Sequence, residues 1–153
     1  MTIGLLVTAR MASTRLPAKH MLEVGGRPAL SHLLARIERE FADELADGRA
    51  VALIATGSEA RNRPLAQLAE GTSFRVFHGD DDNVPLCHLQ AAERHGLDAI
   101  VSIDGDDIFC SPEAMREVAR RLALGAAVVR TTGLPLGMNA WGYSRAALAQ
   151  ALT

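Results

Sequence analysis

The chain is expected to form a three-layer α/β/α domain of Rossmann-like type around a mostly parallel sheet, and two patterns in the sequence lead there. Five short runs of aliphatic and β-branched residues recur: Ile3 to Thr8, Val51 to Ala55, Phe74 to Phe77, Ala99 to Ile103 and Ala126 to Val129. They are continuously apolar, as strands are when helices cover both faces of their sheet. Amphipathic segments lie between them, so strand and helix alternate almost throughout, the order expected of parallel strands joined by helical crossovers. The 153 residues suit a single domain with one buried core, and 48% of them are apolar against 22% charged.

Taken in order, the first run opens into the basic stretch "ARMASTRLPAK". In "PALSHLLARIEREFADELADG" the residues Leu30, Leu33, Leu34, Ile37, Phe41 and Leu45 fall on one stripe. Pro28 suits a first turn and Gly48 a stop, so the pattern predicts one amphipathic helix. Shorter helices are predicted over Pro64 to Glu70, Val84 to His95 and Pro112 to Leu124. The last has Ser111 as N-cap, Pro112 at its first position and Glu113 in its first turn, where an acidic group meets the helix dipole. From Thr131 the chain is less regular and ends on a helical pattern, and no internal repeat, low-complexity tract or linker interrupts it.

Formal net charge is −2 and the basic residues are dispersed, which excludes the broad positive surface of a nucleic-acid binder. No apolar run approaches the roughly 18 residues of a membrane span, and no basic stretch precedes an apolar core at the N-terminus. A soluble, cytoplasmic protein without membrane contact is therefore expected. Cys87 and Cys110 stand alone, outside any CxxC or metal-type spacing, and are expected to be buried free thiols.

In an open parallel sheet the ligand lies outside the carboxyl ends of the strands, so the residues after each strand carry the functional information. After the first strand, Arg10, Ser13, Thr14, Arg15 and Lys19 fall within ten positions, and the small residues Ala9, Ala12 and Ser13 let backbone approach a ligand. A nucleoside triphosphate carries about four negative charges, for which two arginines, a lysine and free N–H groups make a suitable cradle. Solvation alone would also account for a basic connection; its position after strand one favours the ligand. Neither GxGxxG nor a Walker A motif is present. After the fourth strand come Asp104, Gly105, Asp106 and Asp107, where carboxylates at a sharp turn suit a Mg²⁺ that bridges to phosphates. A turn that merely caps the next helix is the other reading of these residues.

Asp80, Asp81, Asp82 and Asn83 do not fit an EF-hand loop and read better as a cap for the helix from Val84. The five histidines form no ligand pair and are expected at the surface or at helix ends, with His78 set apart because it follows a strand. His20 reads as incidental to the basic loop. No Gly-x-Ser-x-Gly elbow exists, which disfavours covalent catalysis.

The stretch "ARMASTRLPAKHMLEVGGRPALSHLLARI" resembles the N-terminal signature of the sugar-activating cytidylyltransferases, most closely the SpsF-like branch related to the acylneuraminate and 3-deoxy-manno-octulosonate enzymes. The likeness continues through "IATGSEARNRPLAQLAE", "VFHGDDDNVPLCHLQAAERHGLDAIVSIDGDD" and "SPEAM", in family order, over about residues 3 to 150. It implies a nucleotide-diphospho-sugar transferase fold and Mg²⁺-dependent transfer of CMP from CTP to a sugar acid or related small anionic acceptor, with release of pyrophosphate. Arg10, Ser13, Arg15 and Lys19 would then contact the nucleotide, with Arg15 and Lys19 stabilising the transition state. Thr56 and Ser58 would line the nucleoside pocket, His78 and Gly79 would lie on the next ligand-side loop, and Asp106 would be the metal-binding aspartate.

Two departures qualify this. Where the family has a "GLDVEVFS"-like strand this chain reads "GMNAWGYS", placing Asn139 and Trp141 at positions where the resemblance implies carboxylates. Family chains also run on for many tens of residues, including parts used for homodimer contacts and acceptor binding, so the C-terminal portion is expected to be missing here. Two alternatives therefore stay open: a catalytically weakened nucleotide-binding module that acts with a partner, and a nucleotidyltransferase of the same fold using another NTP.

Overall fold

The computed structural model describes residues 1–153. Its main sheet has six strands, β1 (Ile3–Thr8), β4 (Ala50–Thr56), β5 (Arg75–His78), β6 (Ala99–Asp104), β7 (Val128–Arg130) and β8 (Trp141–Ser144), in the order β5-β4-β1-β6-β8-β7. β1 pairs in parallel with β4 on one side and β6 on the other, and β5 extends the parallel set. β8 is antiparallel to both of its neighbours. A separate two-stranded ribbon, β2 (Glu23–Val24) with β3 (Arg27–Pro28), follows the basic loop.

Seven helices complete the fold: α1 (Ala29–Glu40), α2 (Ala42–Ala46), α3 (Glu59–Asn62), α4 (Leu65–Ala69), α5 (Val84–His95), α6 (Pro112–Ala123) and α7 (Arg145–Ala151). The β pleat sends alternate residues to opposite layers. Leu5, Val7, Ala52, Ile54, Val101 and Ile103 pack under Leu33 and Ile37 of α1 and Met115 and Val118 of α6. Leu6, Leu53, Ala55 and Ile100 face Cys87 and Ala91 of α5 and Leu148 of α7. The expected three-layer α/β/α architecture is the observed one, and no helix is long and apolar enough to cross a membrane.

Several boundaries differ from the sequence expectation for local reasons. The long helix predicted from Pro28 to Gly48 breaks at Phe41, which has φ −108° and ψ 25°. There the Arg116 side chain donates to the Glu40 carbonyl and lies 4.8 Å from the centre of the buried Phe41 ring. The helix predicted from Pro64 is preceded by an extra turn, α3. Ser111 caps α6 as expected, accepting from the Ala114 N–H at 3.1 Å. β2 and β3 were not predicted, although Gly25 and Gly26, with φ of 58° and 77°, are the pair a tight two-residue hairpin turn needs.

β8 was also absent from the expectation, since "WGYS" is too short and mixed for a period to register. Its Gly142 is required by close approach: a Cβ there would lie 2.4 Å from the Ile100 carbonyl oxygen and 2.8 Å from Val118 Cγ1. Gly142→Ala is accordingly expected to destabilise the protein by about 1–3 kcal/mol through overpacking. A lowered urea midpoint with an unchanged slope would show it, and an unchanged midpoint would mean β8 moves freely against β6.

Candidate functional site

β1 ends at Thr8, directly opposite Ala55 of β4 and Asp104 of β6. The Gly105 N–H donates to the Thr8 carbonyl at 2.8 Å and the Ala9 N–H to the Ala55 carbonyl at 3.1 Å. The turn after β6 and the loop after β1 are thus stitched side by side at the carboxyl edge of the sheet. At this edge the connection leaving β1 crosses toward β4, while β6 lies on the other side of β1, the reversal at which open α/β sheets form a crevice.

The basic loop is held by few contacts. The Ala18 N–H donates to the Met11 carbonyl at 3.1 Å, the Met11 N–H to Asn62 Oδ1 at 3.0 Å, and Ser13 Oγ accepts from the Leu16 N–H at 3.3 Å. Ala18 sits in the left-handed region at φ 54° and turns the chain into a short 3-10 segment, Lys19–Met21. Lys19 Nζ then lies 2.6 Å from Asp106 Oδ2. Arg10, Ser13, Thr14, Arg15, Lys19 and Asp106 line an open cavity of about 610 Å³. Arg15 is exposed and makes no hydrogen bond or ion pair within the chain, so its guanidinium is available to an anion.

Arg10 instead donates to the Asp81 carbonyl. Asp81 Oδ1 accepts from the Ser58 N–H at 2.8 Å, and that hydrogen bond is the main cause holding its carboxyl below the usual range. His78 donates through Nδ1 to the Gly57 carbonyl at 2.8 Å, and the Gly79 N–H donates to the Thr56 carbonyl at 2.8 Å. The loops after β1, β4 and β5 therefore form one connected rim. Thr56 Oγ1 is buried and has no hydrogen-bond partner, a costly state for a hydroxyl. Asn83 caps α5 by accepting from the Leu86 N–H at 3.0 Å, as expected of the 80–83 segment.

The two candidate metal aspartates face different spaces. Asp106 lines the basic cavity, whereas Asp104 and Asp107 line a neighbouring one of about 420 Å³ with Arg130, Asn139 and Trp141. Burial, and then the negative charge of Asp106, push the Asp104 carboxyl above its ordinary range; Asp107 is raised by burial and by Asp104 and Asp106. A third, largely apolar cavity of about 450 Å³ lies at the opposite edge, beside Met1 and Phe41. Its Arg116 is already paired with Glu40 at 2.5 Å and Glu44 at 2.7 Å, leaving that cation committed within the fold.

Sequence reasoning overlooked three residues that the fold brings to this edge. Asn62, 4% exposed, links the first two loops, since its Nδ2 also donates to the Ser58 carbonyl at 2.9 Å. His20 is not incidental: it is 4% exposed, with Nε2 3.7 Å from Asp106 Oδ1, and its ring lies where a Cβ at residue 105 would meet it at 3.0 Å. Burial lowers its basicity, opposed by the Asp106 charge. His88 is likewise neither at the surface nor at a helix end. It is 1% exposed, with Nε2 2.8 Å from Thr8 Oγ1 and Nδ1 2.5 Å from Tyr143 Oη. No sequence signal marks either histidine, because burial is a property of the packing. Both cysteines are buried free thiols, as expected, and burial pushes Cys110 up to about 11.

A family described as Cytidylyltransferase matches residues 5–140, and the chain belongs to that family. The 3-deoxy-manno-octulosonate cytidylyltransferase of Aeromonas salmonicida is 28% identical over 146 residues, an overlap of 89% of this chain and 52% of that protein. This chain thus spans about half the length of the curated relatives it matches. A cytidylyltransferase structure from Leptospira borgpetersenii superposes with a TM-score of 0.83 at 23% identity, covering 98% of this chain and 63% of the other. The structure of a CMP:2-keto-3-deoxy-manno-octonic acid synthetase complexed with CTP gives 0.73 at 16% identity, covering 99% and 78%. These likenesses establish the nucleotide-diphospho-sugar transferase fold expected from the sequence.

Burial pushes the His88 imidazole down to about 4 from an ordinary 6.5. Between those values the unfolded chain binds more protons than the folded one, so stability is lost as pH falls through that window. The loss approaches roughly 3 kcal/mol at its lower end, at about 1.4 kcal/mol per pH unit. His88→Gln, which cannot titrate, is expected to lose less stability than the unsubstituted protein between pH 7 and pH 5 in urea unfolding. Equal losses would remove His88 as the cause.

Proposed function

We propose that this chain is a nucleotidyltransferase that moves CMP from CTP to a sugar acid or a related small anionic acceptor and releases pyrophosphate. The observation that carries the reading is the cavity in which the unpaired Arg15 and the Lys19–Asp106 pair meet at the carboxyl edge of the sheet. Family membership and the names of the relatives support it, and within the family the motif after β1 resembles the SpsF-like branch.

In this reading the triphosphate lies in the basic loop, with Arg15 and Lys19 opposing its charge. Exposed Ala12 and Thr14 leave room for the phosphates to reach the loop backbone. Ala9, Arg10 and Ser13 belong to the same cradle. The cytosine and ribose extend toward Thr56, Ser58, His78 and Gly79, where the partnerless Thr56 hydroxyl supports a polar ligand. An acceptor oxygen attacks the α-phosphorus in line, and the cations stabilise charge as it develops on the phosphates. The acceptor enters through the cavity beside Asp104, whose one lining cation is Arg130.

Mg²⁺ is part of the proposal. Asp104 and Asp106 offer hard oxygen ligands from the two sides of one turn; burial and then the Asp106 charge raise Asp104, and a divalent cation would relieve the second of these. No group of three His, Cys, Asp or Glu residues is arranged to hold a metal alone, so phosphate oxygens would have to complete the coordination. Bound there, the ion would supply Lewis-acid neutralisation of phosphate charge.

One observation favours the second reading, a nucleotide-binding module without turnover. Asn139 is consumed by its own loop, donating to the Leu134 carbonyl at 3.0 Å and accepting from Thr131 Oγ1 at 3.3 Å. The loop leading into β8, which shares a cavity with Asp104, therefore brings no carboxylate from that position.

Titration calorimetry with CTP and Mg²⁺, followed by pyrophosphate release with a panel of sugar acids, separates these outcomes. CTP binding with turnover supports the transferase, CTP binding without turnover on any acceptor supports the module, and tighter binding of another NTP overturns the base assignment. Arg15→Ala and Lys19→Ala are each expected to weaken CTP binding about 10- to 100-fold, the value of a charge-assisted hydrogen bond, with little change in melting temperature. Undiminished affinity in both would place the triphosphate elsewhere.

A further inference from the structure

Beneath the site runs a line of polar side chains that the nucleotide reading does not use. Tyr143 of β8, His88 of α5 and Thr8 of β1 are joined by hydrogen bonds of 2.5 Å and 2.8 Å. His88 is 1% and Tyr143 7% exposed, in a layer that includes Leu6, Ala55, Ala91 and Ile100. Three polar groups against an apolar layer are tolerated when mutually satisfied. Here the line ends on the last residue of β1, whose carbonyl holds the Gly105 N–H and whose cross-strand partner is Asp104.

The direction of the line follows from its chemistry. A neutral imidazole has one donor and one acceptor nitrogen. The phenol is a stronger acid than a neutral imidazole N–H, so Tyr143 donates its hydrogen to His88 Nδ1. His88 must then carry its hydrogen on Nε2 and donate to Thr8 Oγ1, and the Thr8 hydroxyl hydrogen is left without a partner in the protein. Thr8 and Asp104 stand opposite each other and project from the same face of the sheet, since each lies two residues beyond a residue of that buried layer, Leu6 and Ser102.

We propose that Tyr143, His88 and Thr8 form a one-way hydrogen-bond relay that fixes the end of β1 and thereby positions the Asp104–Asp106 turn for the Mg²⁺-bound nucleotide. His88 and Tyr143 are positioning residues: they touch no substrate and act through Thr8. The inference rests on the nucleotide reading above and adds to it a reason for burying a histidine under the site.

The test uses the intact chain. Side-chain ¹⁵N NMR of His88 is expected to show a neutral ring protonated on Nε2, and its resonances are expected to shift when CTP and Mg²⁺ are added. Calorimetry of Tyr143→Phe and Thr8→Val, each close to isosteric, is expected to show CTP affinity in Mg²⁺ reduced about three- to tenfold, the worth of one hydrogen bond, with Mg²⁺-free affinity unchanged. The double variant should lose no more than the larger single loss, since both cut one relay, and Thr8→Ser should restore binding. An Nδ1-protonated ring, additive losses, or variants that lower melting temperature without touching affinity would each overturn the relay. Failure of the unsubstituted protein to bind CTP would instead remove the nucleotide reading, and the relay's purpose with it.

Discussion

The site depends on the parallel register that places Thr8 of β1 between Ala55 and Asp104. Because the central strand ends level with both neighbours, its basic loop and the acidic turn after β6 emerge side by side. The Thr8 carbonyl to Gly105 N–H bond then holds the turn against β1. Slipping one strand by a residue would reverse every inward side chain of that strand, so the packing of Leu5, Val7, Val101 and Ile103 enforces the register at the site. The hydrophobic layers thus do more than stabilise the domain: they set the distance between a cation and a carboxylate that lie 87 residues apart in the chain.

The electrostatics at that edge are deliberately unbalanced. Lys19 is already beside Asp106, Arg10 is committed to the Asp81 carbonyl, and Arg15 is left without a partner. Across the turn, Asp104 and Asp107 are raised first by burial and then by the repulsion among the three carboxylates. Uncompensated positive charge on one side of Asp106 and uncompensated negative charge on the other suit an anionic ligand and a cation that arrive together. By contrast, the charges at the far edge are closed, with Arg116 held between Glu40 and Glu44.

Much of this was legible in the sequence. The continuously apolar runs located β1, β4, β5 and β6, because parallel strands covered on both faces advertise themselves in composition. The basic loop, the Asp104–Asp107 turn and the Ser111 cap were readable because each is a local arrangement of a few consecutive residues. The β2–β3 ribbon was overlooked although its Gly25-Gly26 pair was in view. β8 was missed for a firmer reason: four residues that include a buried glycine carry no period of their own and become a strand only against β6.

The sequence alone determined the four parallel strands and the main helices, which loops bear charge and where the polar residues cluster along the chain, since propensity, capping and periodicity act over short distances. Only the tertiary structure decided that His20 sits against the Asp106 turn, that Asn62 bridges two loops, and that His88 joins Tyr143 to Thr8. It also decided that Asp104 and Asp106 open on different cavities. Those outcomes turn on burial and on contacts between residues far apart in sequence, and both arise only once the layers have packed.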